Sequence, residues 1–445
     1  MKELAFVAQA LGLSPTQIRL FINRYVVDSR LVSPGDLFFA LEGNHSDGHR
    51  FLKEVASRGG IAAVVHSSYK GESYGLILLK VDHVLQALQT LAQTIQKERK
   101  QKIIGVTGSV GKTTTKEFIA TLLVQRYSVD KTLGNYNSQV GLPLMILNSL
   151  GKSEIFVAEM GISQPGNLEK LVQIIPPEIS VVTNIGHAHI GCFPQGMEEI
   201  AWEKRKIFSL PQIKGGVLHH QAIRFKAFQT FSSCPFKTFG LIKYPSTSPL
   251  PDYRWGETGN NLIEEAKEIA PFPLPFCQTH FCENFLAAVA VARMVGLSWK
   301  EIQMGSQQLS LPPLRFEQIQ QNGVTFINDC YSANPESMIA ALSNLPFPAP
   351  SSKRIAVLGE MAELGNYSHQ AHSDIGAFAT QHVDHLLSYG EGARALWKSF
   401  HKSGKPCEWW DDLKQLKKRV FEIANPGDVV LVKGSNINQM WNILK

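Results

Sequence analysis

The residues richest in chemistry are Gly108-Ser109-Val110-Gly111-Lys112-Thr113-Thr114. Gly108 and Gly111 let successive backbone N–H groups turn toward an anion, and a helix starting there adds the positive end of its dipole. Lys112 brings a mobile charge to terminal phosphates, and the Thr113 hydroxyl suits Mg²⁺. The expected chemistry is polyphosphate binding. The usual pattern has a further glycine five residues before Gly111, where this chain has Val106, so the loop is a shortened variant. A purely structural glycine turn is the competing reading. Glu159 ends an apolar run, where a carboxylate beside a phosphate loop completes a metal site; a capping or surface glutamate is the alternative. His187 and His189 follow the next apolar run, on the side of an open sheet where ligands bind. Glu203, Lys204, Arg205 and Lys206 read by charge alone as an exposed helix face. Asp28-Ser29-Arg30, Pro34-Gly35, Gly43 and Asp47-Gly48-His49 read equally as a solvated loop or as groups offered to a phosphorylated sugar or nucleotide.

Elements must position these groups. Lys102 to Val106 is β-branched and apolar, as a buried parallel strand would be, and Phe118, Ile119, Leu122 and Leu123 recur at helical spacing over 116–123. Upstream, the pattern predicts a helix over 3–12, a strand within 16–27, a strand at 37–41, a helix at 51–59, a strand at 61–66 and a helix at 83–97. The run Lys97-Glu98-Arg99-Lys100 reads as a solvated boundary. Strands are expected at 154–158 and 180–183, a helix at 197–208, short strand-like runs over 215–276 and an Ala-rich helix over 280–294. Beyond Pro312-Pro313, strands at 324–327, 354–358, 383–389 and 429–433 alternate with helices at 335–344 and 369–381, as in a doubly wound domain.

The chain has 445 residues, enough for roughly three domains at about 150 residues each. Boundaries near 83 and 311 divide it into 1–83, 84–311 and 312–445. The formal charge of +6 suits a substrate with phosphates and carboxylates and is too diluted to indicate nucleic acid. Six cysteines without a Cys-x-x-Cys pair suggest neither zinc nor a disulfide framework, and so a reduced, cytoplasmic protein. Neither an export signal nor a membrane span is expected.

Read in order, these stretches resemble the Mur ligase family of ATP-dependent amide-forming enzymes. The resemblance rests on the variant loop Thr107 to Thr114, Gly134-Asn135-Tyr136-Asn137 with Gly141-Leu142-Pro143, and Ala158-Glu159-Met160-Gly161. It continues in Asn184 to His189, His280 to Asn284, Tyr331-Ser332-Ala333-Asn334-Pro335 and Gly359 to Gly365. It implies an α/β fold of three domains: a small UDP-substrate domain, a central P-loop ATPase-type parallel-sheet domain and a C-terminal Rossmann-like domain. It implies ATP and two Mg²⁺ ions as cofactors, and UDP-N-acetylmuramoyl-tripeptide and D-alanyl-D-alanine as substrates of a monomer. Gly108 to Thr114 would hold the phosphates, with Thr113, Glu159, His189 and Lys204 at the metals and Lys112 among the catalytic groups. Lys204 matches the family's carbamylated lysine (N-carboxylysine), although Arg205 and Lys206 stand where Gly and Glu are common. His280, Asn284, Arg315, Asp329, Tyr331 and Asn334 would meet ATP, with Phe281 replacing an asparagine. Ser29, Arg30, Gly43, Asp47, His49, Asn135 and Asn137 would meet the UDP-linked substrate. A sibling or folate-type ligase and a P-loop switch without ligase activity are the rivals.

Overall fold

The computed structural model describes residues 2–14, 19–43, 46–134, 136–230, 234–242, 249–256, 261–269 and 271–445. The chain forms two compact units, one of residues 1–105, 127–161 and 167–178, the other of 106–126, 162–166 and 179–445.

In the first unit, Tyr25–Val26, Leu37–Phe39, Ala62–His66 and Ile77–Val81 pair in parallel, in that order. Parallel sheets are covered on both faces, and Leu37–Phe39 and Ala62 to Val65 are accordingly buried throughout. The helix Val84–Lys97 turns Leu88, Leu91, Ala92 and Ile95 inward at 3–4 residue spacing. It packs on the helices Gly141–Asn148 and Asn167–Ile174. In the same unit the strand Ile155–Glu159, buried at every position, pairs in parallel with Val129–Lys131. The strand expected within 16–27 is reduced to Phe21–Ile22 and Tyr25–Val26, and residues 16–18 lie outside the described residues.

The charged run at 97–100 is not simply solvated. Arg99 folds in and donates to Ile146 O (2.9 Å), Ser149 O (2.8 Å) and Ser149 Oγ (2.9 Å). These carbonyls lie at the end of the helix Gly141–Asn148, where intrahelical donors run out. Arg99→Ala leaves them unsatisfied, and we expect a loss of about 2 kcal/mol in urea unfolding.

The strand Lys102–Thr107 runs from the first unit into the second. There, Ile179–Val182, Gly215–His219, Phe236–Phe239 and Tyr253–Trp255 pair in parallel, followed by the antiparallel Leu262–Glu264 and Lys267–Ile269. The helix Thr279–Met294 is buried continuously from Asn284 to Ala292, its alanines allowing close approach to the helix Lys112–Leu123. The second sheet runs Glu317–Gln321, Val324–Asn328, Val429–Lys433, Arg354–Gly359, His385–Tyr389, Cys407–Trp410, parallel except for the first strand. Its side chains alternate between two cores. Ile327, Ala356, Leu358, Leu386 and Leu431 enter one; Phe326, Ile355, Val357, Leu387, Val430 and Val432 enter the other. Helices Pro335–Ser343, Ser368–Ala379, Arg394–His401 and Leu413–Ile423 complete the alternation. The last two helices and the strands at 317–321 and 407–410 were not predicted. Asp329, Glu360 and Gly434 follow the carboxyl ends of three central strands of this sheet, the rim where open α/β sheets take ligands. Among the described residues, no helix is long and apolar enough to cross a membrane.

Candidate active site

The helix after the phosphate loop starts at Lys112, four residues before the apolar periodicity indicates, because Gly111 caps it with φ +81°. A Cβ at Gly111 would collide with Asn284 Oδ1, and one at Gly108 with the Thr183 hydroxyl. Glycine is thus required at both positions, by backbone angle and by space. The loop is held from the strand beside it. Asn184 Oδ1 accepts from Ser109 N (3.0 Å) and Val110 N (2.8 Å), and the Ser109 hydroxyl bonds both Gly186 O (2.9 Å) and Gly186 N (2.8 Å). Lys112 Nζ curls back to Gly108 O (2.8 Å) and Ser109 O (3.3 Å), placing its charge over the loop.

A cavity of about 500 Å³ opens on this loop; Val110, Gly111 and Thr114 line it together with His280, Asn284, Arg315 and Asp329. Arg315 rests on the Tyr331 ring (4.0 Å), donates to Ser332 Oγ (3.2 Å) and reaches Thr113 Oγ1 at 3.4 Å. Asp329 Oδ2 accepts from the buried Lys433 Nζ at 2.6 Å, which fixes the carboxylate. Asn334 is committed elsewhere: its side chain accepts from Ser337 N and caps the helix Pro335–Ser343.

Burial pulls the His280 imidazole down to about 4, opposed by Asp329 and aided by Lys433. Its folded value lies below its ordinary 6.5, so as pH falls the unfolded chain takes up the proton first. Its share of stability is therefore complete above about pH 6.5 and is lost as pH falls toward 4. We expect Tm to drop over that window, and His280→Asn to flatten part of the slope in a pH series of thermal melts.

The helix Met197–Arg205 departs most from expectation. The charge pattern predicts an exposed face, yet Glu203 is 3% exposed and Lys204 1%. Glu203 Oε2 is taken by Lys206 Nζ (2.9 Å) and Gly166 N (3.0 Å), while Arg205 lies against the exposed Trp202. Arg205 and Lys206 thus do not displace Lys204 from the interior. Burial, then the charge of Lys112, drives the Lys204 amine well below the usual lysine range, with Glu203 opposing.

His189 sits in the left-handed region (φ +64°), with Nδ1 2.5 Å from Glu363 Oε2. His187 Nδ1 lies 2.5 Å from Glu336 Oε1 and its ring stacks on Tyr367 at 4.8 Å. In the first unit, Glu159 is 1% exposed and its Oε1 accepts from Asn137 Nδ2 at 2.7 Å. The N-terminal candidates divide in two. Arg30 is exposed and paired with Asp28. Ser29 donates to Glu54 Oε2 (2.7 Å), and Gly43 N donates to Ser46 O (2.8 Å). Asp47 holds His49 Nδ1 (2.7 Å), whose Nε2 accepts from His66 N (2.9 Å), so both ring nitrogens of His49 are spent internally. Asn135 lies outside the described residues. Sequence reasoning singled out neither Lys433 nor Glu336. Lys433 could have been found from its place at the end of the predicted strand 429–433; Glu336 carried no signal.

A parallel sheet ending in a variant phosphate loop, with a second doubly wound layer supplying Arg315, Asp329 and Lys433 to one cavity, defines an α/β protein of the P-loop type. Residues 22–96 match the Mur ligase family catalytic domain, 106–292 the Mur ligase middle domain and 314–436 the Mur ligase glutamate ligase domain. The chain is 32% identical to the UDP-N-acetylmuramoyl-tripeptide–D-alanyl-D-alanine ligase of Bacillus subtilis, over 100% of this chain and 97% of that protein. Among solved structures it is similar to MurF from Acinetobacter baumannii (TM-score 0.84, 26% identity, 98% of this chain and 96% of that one). It is also similar to MurF ligase from Thermotoga maritima in complex with ADP (TM-score 0.75, 28% identity, 95% and 96%). The chain belongs to the Mur ligase family.

Proposed function

We propose that this chain is an ATP-dependent ligase that joins D-alanyl-D-alanine to UDP-N-acetylmuramoyl-tripeptide, giving the pentapeptide precursor of peptidoglycan. The observation that carries the reading is the end-to-end similarity to a protein named for that reaction, in a chain whose phosphate loop opens on a cavity of nucleotide size. In this reading residues 1–83 hold the UDP moiety, with Arg30 among the exposed cations there, and 84–311 hold ATP. Residues 312–445 close over the nucleotide and receive the dipeptide. The protein works as a cytoplasmic monomer.

Amide formation from a carboxylate needs a leaving group. The terminal carboxylate of the tripeptide attacks the γ-phosphorus of ATP, the bond to the β-phosphate oxygen breaks, and an acyl phosphate forms with ADP released. The free amine of D-alanyl-D-alanine then attacks the acyl carbon, loses a proton and expels phosphate. Charge builds on phosphoryl oxygens in the first step, and in this reading Lys112, the positive end of the helix Lys112–Leu123 and Arg315 meet it. The donor set fits hard divalent cations: the Thr113 hydroxyl, the Glu159 carboxylate, His189 and Lys204. Mg²⁺ bound there would neutralise phosphate charge. Lys204 fits the set as a carbamate, since a buried amine driven below its normal range is neutral enough to add to CO₂, releasing one proton.

The test is phosphate release with ATP and Mg²⁺ across a panel of D-alanyl-D-alanine, D-alanine, L-alanine and glutamate, with and without the tripeptide. Release only when tripeptide and dipeptide are both present is the expected result. Release with another amino acid moves the chain to a sibling ligase, and release without any acceptor sinks the ligase reading.

A further inference from the structure

His187 was singled out by its place past a strand end, and the proposed reaction leaves it without a task. It sits at the centre of a network. Glu336 Oε1 accepts from the His187 backbone N–H at 2.9 Å and lies 2.5 Å from His187 Nδ1, while Tyr367 stacks on the ring. Burial pushes the Glu336 carboxyl up, and the hydrogen bonds from His187 outweigh it and hold the group ionised. Gly186 lets the carboxylate come this close: a Cβ there would lie 2.7 Å from Glu336 Cδ and 2.8 Å from Oε1. The same Gly186 bonds the Ser109 hydroxyl through both its N–H and its carbonyl, and Asn184, two residues earlier, holds Ser109 N and Val110 N. Glu336 therefore touches, through one short loop, the segment that fixes the phosphate cradle. It stands on the first turn of the helix Pro335–Ser343, in the sheet layer that follows Pro312-Pro313, and both it and His187 line the nucleotide cavity.

We propose that Glu336 is a positioning residue for nucleotide binding: by gripping Gly186 and His187 it sets the loop 184–187, and through Asn184 and Ser109 it sets the backbone of the phosphate loop. The proposal rests on the nucleotide reading given above. It makes the geometry of the cradle depend on the C-terminal layer being seated, so that a nucleotide is gripped fully only when Arg315, Asp329 and Glu336 are in place together.

The experiment measures ADP affinity by calorimetry, with KM for ATP and kcat, in the full chain carrying Glu336→Ala, Glu336→Gln, Gly186→Ala or the double change Glu336→Ala with Gly186→Ala. Thermal melts check that each variant folds. Glu336→Ala is expected to weaken ADP about tenfold, close to 1.4 kcal/mol, and to raise KM for ATP in parallel with kcat changed by less than about threefold. Glu336→Gln keeps the bond from the His187 N–H and should fall between. Gly186→Ala alone should also weaken ADP about tenfold, by pushing against the carboxylate. Because Glu336→Ala removes what the new methyl group strikes, the double variant should be no weaker than Glu336→Ala. Multiplicative losses of about a hundredfold, or an ADP affinity of Glu336→Ala within about twofold of the parent, overturn the proposal while leaving the nucleotide reading intact. A parent chain that binds no ADP overturns both.

Discussion

Lys204→Ala is expected to lower turnover about a thousandfold, with activity partly restored by a short carboxylate such as formate or acetate. Burial of the amine is what makes the effect large. An ammonium at 1% exposure, with Lys112 as a like-charged neighbour, is strongly disfavoured, and Glu203, which also holds Lys206 and Gly166 N, opposes the shift without reversing it. In the function proposed above, a neutral amine in that place would add CO₂, and the product would carry a carboxylate where a cation stood. If the proposed role holds, losing that metal ligand at a developing phosphoryl charge forfeits about 4 kcal/mol, which is the thousandfold. A small acid that enters the space left by the side chain returns the missing charge. If Lys204→Ala turns over within about tenfold of the parent, or if no carboxylate restores it, the amine is a buried lysine and nothing more.

Gly108→Ala is the second large effect. Gly108 holds φ +153°, and its missing side chain is the space filled by the Thr183 hydroxyl, which bonds Val110 O across the loop. A methyl group must displace that hydroxyl and with it the tie between loop and neighbouring strand. The loop then no longer keeps its shape ahead of the helix start, and ADP affinity is expected to fall about a hundredfold, with Tm falling as well because Gly108 and Ser109 are buried. Calorimetry with ADP decides it; an affinity within about threefold would mean that the cradle tolerates a side chain.

Much of this site can be read from residue types. The phosphate loop declares itself because glycine, lysine and threonine in that spacing have few other uses, and the buried strands beside it are β-branched runs that could hardly sit elsewhere. The second sheet layer is legible for the same reason: apolar runs alternating with helical periods leave one class of topology. What sequence hides is burial of charge. Lys204 and Arg99 look like surface residues because their neighbours are charged, and only the packed chain shows one amine driven inside and one guanidinium capping a helix. Helix starts are also concealed. The Thr113-Thr114-Thr115 run has poor helix propensity, and it is helical because Gly111 turns the chain and the buried Thr115 hydroxyl is anchored on Asn284. The strand Glu317–Gln321 has a single apolar residue, Ile319, because it lies at a sheet edge, where alternation need not be marked.

The turn after His189 approaches the turn before Tyr367 backbone to backbone. Gly191 N donates to Glu363 O (3.0 Å), and a Cβ on Gly191 would lie 2.9 Å from Gly365 Cα, one on Gly365 2.8 Å from Gly191 Cα. No side chain stands between the two layers there. In a saturation-mutagenesis map these two codons will read as a pair of intolerant positions 174 residues apart (365 less 191), each limited by the backbone of the other.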